Sequence, residues 1–179
     1  MSASGNIYNA FSNTNAFKQI TIWEDAIFSG YAFSHKNNYT FTAAQTRKFL
    51  LSPICTSGGV PGFVPLLTST AGPIEVDYYV NPTITNIGTS ALIFNRNSLS
   101  SNVAQSSINF DTVTSNDGTW FSADLIPASS GGGAHASSGA SQNLMSPFNF
   151  DCSKTYLMVV TNTNGSTATV NIAFNFAEI

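Results

Sequence analysis

Charge is scarce in this chain. Asp, Glu, Lys and Arg together make up 8% of its 179 residues, where a soluble domain usually carries about 25%. The six Lys and Arg are scattered and the net charge is −3, so the cluster of cations that releases counterions from a nucleic acid is missing. Long apolar runs are missing too. Nothing approaches the roughly 20 residues of a membrane-spanning helix, and no basic amphipathic helix is written that would lie on a membrane surface. The opening "MSASGNIYNAFSNTNAF" has no charged segment followed by an apolar one, so no secretory signal is expected. Two histidines, His35 and His135, stand far apart, and no G-x-S-x-G elbow accompanies the abundant serines. The triple glycine at 131–133 has no Lys-Ser/Thr after it, which excludes a phosphate loop. No Cys/His cluster suggests zinc, no carboxylate run matches a calcium loop, and no cofactor is implied. These absences argue against an enzyme.

What the chain has instead is neutral polarity. Hydrophobic residues are 42%, and Ser, Thr and Asn supply roughly a third of the sequence. Short alternating runs recur: Tyr39 with Phe41, Phe49 with Leu51, and Ile74, Val76 and Tyr78 between Glu75 and Asp77. A period of two is the mark of a half-buried strand. "KQITIWED" alternates in the same way. Helical periodicity is poor, with "FTAAQTRKFL" the one segment that could make a turn or two. Many short strands with turn signals at close intervals predict an all-β chain, an antiparallel β-sandwich of jelly-roll type. Residues 1–17 are small, polar and aperiodic, and read as an extended arm ordered by a partner. Residues 18–179 read as one domain.

One phrase is written more than once. "PTITNIGTSALI" is followed by "DTVTSNDGTWFSADLI", and "LMVVTNTNGSTATVNIAF" stands near the C-terminal end. Gly88, the Asp117-Gly118 pair and the Asn164-Gly165 pair sit between alternating runs, which predicts a strand, a tight turn and a returning strand each time. The spacings differ, so this is not a solenoid.

Several residues invite a functional reading. Arg96 stands between Asn95 and Asn97 in "FNRNS". This is expected to be a buried or interfacial guanidinium fork, with the two amides closing the loop around it. Trp23 and Trp120 could stack on a sugar, although core packing is the commoner fate of a large aromatic. The Gly/Ser-rich loop at 127–143, with Gly131, Gly132, Gly133 and His135, is either a contact loop or a surface excursion. His35 is expected at a strand end or on the surface. Glu75 and Asp77 share a strand face, which is more often solvated than catalytic, and Asp117 is accounted for by its turn. Cys55 and Cys152 are expected as buried thiols, with a disulfide open if their strands meet.

The order of these elements carries a resemblance. "NPTITNIGTSALIFNRNS", "DTVTSNDGT", a Gly/Ser-rich loop after "LIP", and "KTYLMVVTNTNGSTATVNIAFNFAEI" together resemble small β-sandwich structural proteins of tailed-bacteriophage virions, the head decoration or cement proteins. The likeness covers about residues 18–179. It implies a non-enzymatic component made in the bacterial cytoplasm and placed on the capsid surface. There it would bind the major capsid protein and copies of itself, with a trimer as one option, and would stabilise the assembled head. A tail, neck or fibre location is the alternative within the particle, and a carbohydrate-binding module for host adsorption is the alternative outside that class. Under the leading expectation, Phe11, Phe17 and Trp23 would contact the shell. Asn95, Arg96 and Asn97 would lie at a seam between copies, and the loop around Gly131–Gly133 and His135 would meet neighbours.

Overall fold

A computed structural model describes residues 8–11, 17–20, 22–54, 62–71, 73–126, 136–137 and 148–178. The strands are β1 (Tyr8–Phe11), β2 (Phe17–Ile20), β3 (Ala32–Phe41), β4 (Thr46–Ser52), β5 (Gly62–Ser69), β6 (Ile74–Val80), β7 (Thr83–Asn86) and β8 (Thr89–Ser90). They continue with β9 (Phe94–Asn95), β10 (Ser107–Phe110), β11 (Val113–Asn116), β12 (Thr119–Ile126), β13 (Ala136–Ser137), β14 (Phe148–Asn149), β15 (Tyr156–Asn162) and β16 (Ala168–Ala177). One helix, α1 (Ile22–Phe28), lies between β2 and β3.

Two antiparallel sheets face each other. Sheet I runs β12-β6-β15-β4-β10-β8, and sheet II runs β13-β5-β16-β3-β9, with β14 also pairing β5. The chain crosses between them at each step: β3 is in sheet II, β4 in sheet I, β5 in II, β6 in I, and later β15 in I and β16 in II. That wrapping, with β3-β16-β5 opposite β4-β15-β6-β12, is the jelly roll the alternation predicts. The inward residues of β16, namely Val170, Ile172, Phe174 and Phe176, meet Phe49, Val76, Met158 and Val160 of sheet I in one core. Removing such side chains from water is the main favourable term in folding.

The outer faces of the two sheets differ. On sheet II it carries Ser34, Thr40, Thr169, Asn171 and Asn175, all half-buried or exposed. On sheet I the outward residues Leu50, Leu157 and Val159 are buried. A two-stranded ribbon of β7 and β11 brings Ile84 onto them, beside Tyr79. This cover explains why β15 is buried on both faces and does not alternate.

The expected hairpins do not form. Apart from β1 with β2, no two consecutive strands pair among the described residues. The phrase at 81–93 and the phrase at 111–126 instead exchange partners. The returning strand of the first copy, β8, pairs with β10, which precedes the second; the returning strand of the second, β12, pairs with β6, which precedes the first. The register is matched, Phe110 opposite Thr89 and Val80 opposite Thr119, while β7 and β11 pair with each other.

The cause is a corner at the start of each copy, where Asn81 and Asp111 both adopt φ +57 and turn the chain out of the sheet. Asn and Asp tolerate that conformation better than other non-glycine residues. Gly88 and Gly118 then sit against the opposite corner. A Cβ at Gly88 would collide with the Phe110 carbonyl oxygen, and one at Gly118 with that of Val80. The "LMVVTNTNGSTATVNIAF" segment is likewise no hairpin: β15 belongs to sheet I and β16 to sheet II, so Asn164-Gly165 lies on a crossing between sheets.

Two further expectations change. "IWED", Ile22 to Asp25, is part of α1 rather than a continuing strand. Tyr8–Phe11, inside the expected arm, is a strand whose register places Phe11 opposite Phe17.

Candidate functional site

The Asn95–Asn97 loop is built by its amides. Helix α1 is closed by a turn through Gly30, φ +76, with the Tyr31 N–H donating to the Ala26 carbonyl. This leaves the last helical carbonyls in want of donors, as at any helix end. The loop supplies them. Asn95 Nδ2 donates to the carbonyls of Gly30 (2.8 Å) and Asn102 (2.9 Å), and Asn97 Nδ2 donates to that of Phe28 (3.0 Å). Asn102 Nδ2 approaches the Ser29 and Gly30 carbonyls at 3.4 and 3.3 Å. Inside the loop, the backbone N–H groups of Asn97 and Leu99 donate to the side-chain oxygens of Asn95 and Asn97. From the other side, the buried Glu178 carboxylate accepts the N–H groups of Gln105 (3.0 Å) and Ser106 (2.6 Å).

This tightly bonded loop presents bare hydrophobic side chains. Leu99 is 95% exposed and Val103 79%, with Leu92 and Phe94 exposed nearby. Beside them a hollow of about 410 Å³ opens between the edges of the two sheets, lined by Phe33, Ser90, Ile93, Phe94, Val103 and Ser107 among others, none of them charged.

Asn95 and Asn97 therefore close the loop as expected, but Arg96 is not a buried fork. Its backbone N–H donates to the Ala32 carbonyl, its side chain is exposed, and no ion pair holds it among the described residues. The reason is local: the helix-end carbonyls that a fork could bond are already taken by the asparagines. Phe11, Phe17 and Trp23 fall in β1, β2 and α1, with their side chains outside the described residues. Gly131, Gly132, Gly133 and His135 also lie outside them, although the next residues, β13, pair with Thr68 and Ser69 at the edge of sheet II.

His35 is buried rather than at the surface. Its Nδ1 lies 2.8 Å from the Leu92 carbonyl, which can only accept, so Nδ1 carries the proton and Nε2 faces the Tyr39 hydroxyl at 3.1 Å. Trp120 is 55% exposed, not in the core, and its indole N–H donates to Asp77 Oδ1 at 3.0 Å. Cys152 is disulfide-bonded, which corrects the thiol reading for that residue; Cys55 lies outside the described residues.

The charged residues missed by sequence hold the exchanged copies in place. Arg47 forks Asp111 through Nε (2.7 Å) and Nη2 (2.6 Å), and its guanidinium lies over the rings of Tyr39 and Phe41. Lys48 Nζ donates to Asp117 at 2.5 Å and to Thr114 at 2.7 Å. Burial pushes the Asp117 carboxyl up, but the hydrogen bonds from Lys48 and Thr114 outweigh it and hold the group below its ordinary value. On β12 the balance is reversed: burial raises Asp124, and the Tyr78 hydroxyl that donates to it (3.3 Å) offsets only part of the rise. Neighbouring signals, such as the Lys48 amine facing a turn Asp, have no fixed spacing that a sequence would reveal.

Among the described residues no group of three His, Cys, Asp or Glu side chains could hold a metal ion, and no helix is long and apolar enough to cross a membrane. No protein-family model matches the chain, and no curated protein matches it. Among solved structures, the chain aligns with the VP2 subviral particle of infectious bursal disease virus at 16% identity, covering 98% of this chain and 47% of that one, with a TM-score of 0.12. It aligns with the Gx strain of the same virus at 15% identity, 98% and 47% coverage, and a TM-score of 0.11. The chain thus spans less than half the length of these structures, and a likeness that slight bears on neither fold nor function.

Proposed function

We propose that the chain is a non-enzymatic structural component of a bacteriophage virion, a decoration or cement protein that binds the assembled head and copies of itself. The observation that carries this reading is the stapled loop. At the motif through which the sequence resembles virion proteins, side-chain amides are spent on holding Leu99 and Val103 bare in solvent. A rigid apolar surface of that kind suits docking, because little conformational freedom is left to lose on contact. The jelly roll is also a fold that viral capsid domains use, as lectins do. Binding to the assembled shell alone would stabilise that shell by mass action. The test is mass spectrometry of purified particles from the phage whose genome encodes this chain. A copy number comparable with the major capsid protein is expected; a few copies per particle would move the chain to the tail or neck, and none would end the proposal.

One observation favours the carbohydrate-binding alternative. Trp120 is exposed beside Tyr79, its partner across the strands, and close to the carboxylate of Asp77, an aromatic face next to a hydrogen-bond acceptor. Glycan-array binding lost in Trp120→Ala would support that reading, and an array with no signal would remove it.

A further inference from the structure

We propose that the outer face of sheet II holds a binding site for a sugar unit that carries a carboxylate, seated over Ala173 with its charge against Lys36. The strands of sheet II contain no Asp or Glu, and Lys36 is their one Lys or Arg; those of sheet I contain Arg47, Lys48, Glu75, Asp77 and Asp124. Lys36 lies opposite Ala173 across the strands. It is exposed, and no ion pair holds it among the described residues. A shallow hollow of about 360 Å³ opens there, lined by Ser34, Lys36, Thr68, Asn171, Ala173 and Asn175, while the ring of His35 turns away to Leu92 and Tyr39. Ala173 is the reason for the hollow. Asn171 and Asn175 stand two positions before and after it on the same face of β16, each about 7 Å along the strand, and its methyl group leaves the space between them open.

The polar groups of this hollow are unspent. Elsewhere Asn95, Asn97, Asn102 and Asn162 donate to backbone carbonyls of the chain itself. Asn171 and Asn175 are half-buried, yet neither side chain, nor that of Ser34 or Thr68, has a hydrogen-bond partner among the described residues. Carboxamides and hydroxyls both donate and accept, as the hydroxyls of a sugar do, so these four groups match a polyol in either sense. One ammonium without an acid beside it balances one negative charge, whereas a nucleic acid would call for a cluster of cations. No Trp, Tyr or Phe lines the hollow, so hydrogen bonds and the Lys36 ion pair carry the affinity, and a single unit binds weakly.

This site goes beyond the particle reading, and it lies on the other sheet from Trp120. An amide-resolved NMR titration of the purified chain tests it. Glucuronate should move the side-chain amide signals of Asn171 and Asn175 to saturation. Glucose should bind more weakly by roughly 3-fold, the worth of an exposed ion pair, and Lys36→Gln should erase that preference. Asn171→Ala and Asn175→Ala should each weaken glucuronate binding by roughly 5-fold, the worth of one hydrogen bond, and Ala173→Leu should abolish it by filling the hollow. These side chains face outward, so an otherwise unchanged amide spectrum will show that the fold is intact. Trp120→Ala should leave the titration as it was, which separates this site from the aromatic one. Signals of Asn171 and Asn175 that do not move, equal affinity for glucuronate and glucose, binding that survives Ala173→Leu, or acetate acting as well as glucuronate would overturn the proposal. Particle copy number can fail while these results hold, and the reverse.

Discussion

The two copies of the repeated phrase share a backbone path and differ in what they carry. Each starts at a corner with φ +57, Asn81 in one and Asp111 in the other. Each uses an Asn side chain, Asn86 or Asn116, to accept the N–H of the following glycine. The first continues into a strand of two residues, β8, and the second into one of eight, β12. Equivalent cross-strand positions hold Tyr79 with Trp120 in one place and Asn109 with Ser90 in the other. The first set packs an aromatic over sheet I, whereas Asn109 buries an amide oxygen with no partner among the described residues. One geometry thus serves two ends: the exchange is fixed by the corners and glycines, and the side chains are free to make one end a strand edge and the other a hollow.

The largest effects should come from breaking the exchange. Gly118→Ala and Gly88→Ala each force a Cβ into the opposite corner at a φ that disfavours it, and each should cost about 3 kcal/mol in denaturant unfolding. The Gly118 variant should lose more, because an eight-residue strand follows it and a two-residue strand follows Gly88. Asymmetry at the corners is the next test. Asp111→Asn removes the carboxylate that Arg47 forks, a pair with side-chain exposures of 16% and 49%, and should cost about 1 kcal/mol. Asn81→Asp, at the corner without an arginine, should change stability little. Asn109→Leu should stabilise by about 1 kcal/mol, since it removes a buried acceptor that has no donor among the described residues.

Smallest is the pH dependence, in which the two carboxylates act oppositely. Asp117 is lowered in the fold, so its contribution is complete above the ordinary carboxylate range and fades as pH falls through its folded value. Asp124 is raised, so its contribution is present below the ordinary range and is lost as pH rises through its folded value. Lys48→Met should flatten the acid side of the stability curve and Asp124→Asn the side above it; identical curves for both variants would contradict the assignment.

Much of the fold was legible. In β16 the alternation of "ATVNIAFNF" matches a strictly alternating burial, and a sandwich of antiparallel sheets follows from many such strands. Strand partners were not legible. Asn86-Ile87-Gly88 and Asn116-Asp117-Gly118 mark turns correctly, but a turn signal does not say which strand will lie alongside. That choice was made by Asn81 and Asp111, ordinary residues whose φ only the packed structure reveals. Covering sheet I with the ribbon hid β15 in the same way, by burying the face that alternation would leave polar. At the candidate site the amides of Asn95 and Asn97 could be read as loop closers. The roles of His35 and Glu178 could not, because their partners, Leu92 and residues 105–106, lie far away in sequence. Trp120 was misjudged because an edge strand leaves one side of a large ring in water.

The exchanged pairing has a consequence for how the chain must be made. During synthesis β6 emerges with neither of its neighbours, β15 and β12, yet in existence, and the first corner waits for the glycine that will back it. Contacts so distant along the chain make folding slow. A polypeptide halted before Gly118 would also lack β15 and β16, the strands that join β6 to β4 and β5 to β3, so both sheets would stand open at their centres.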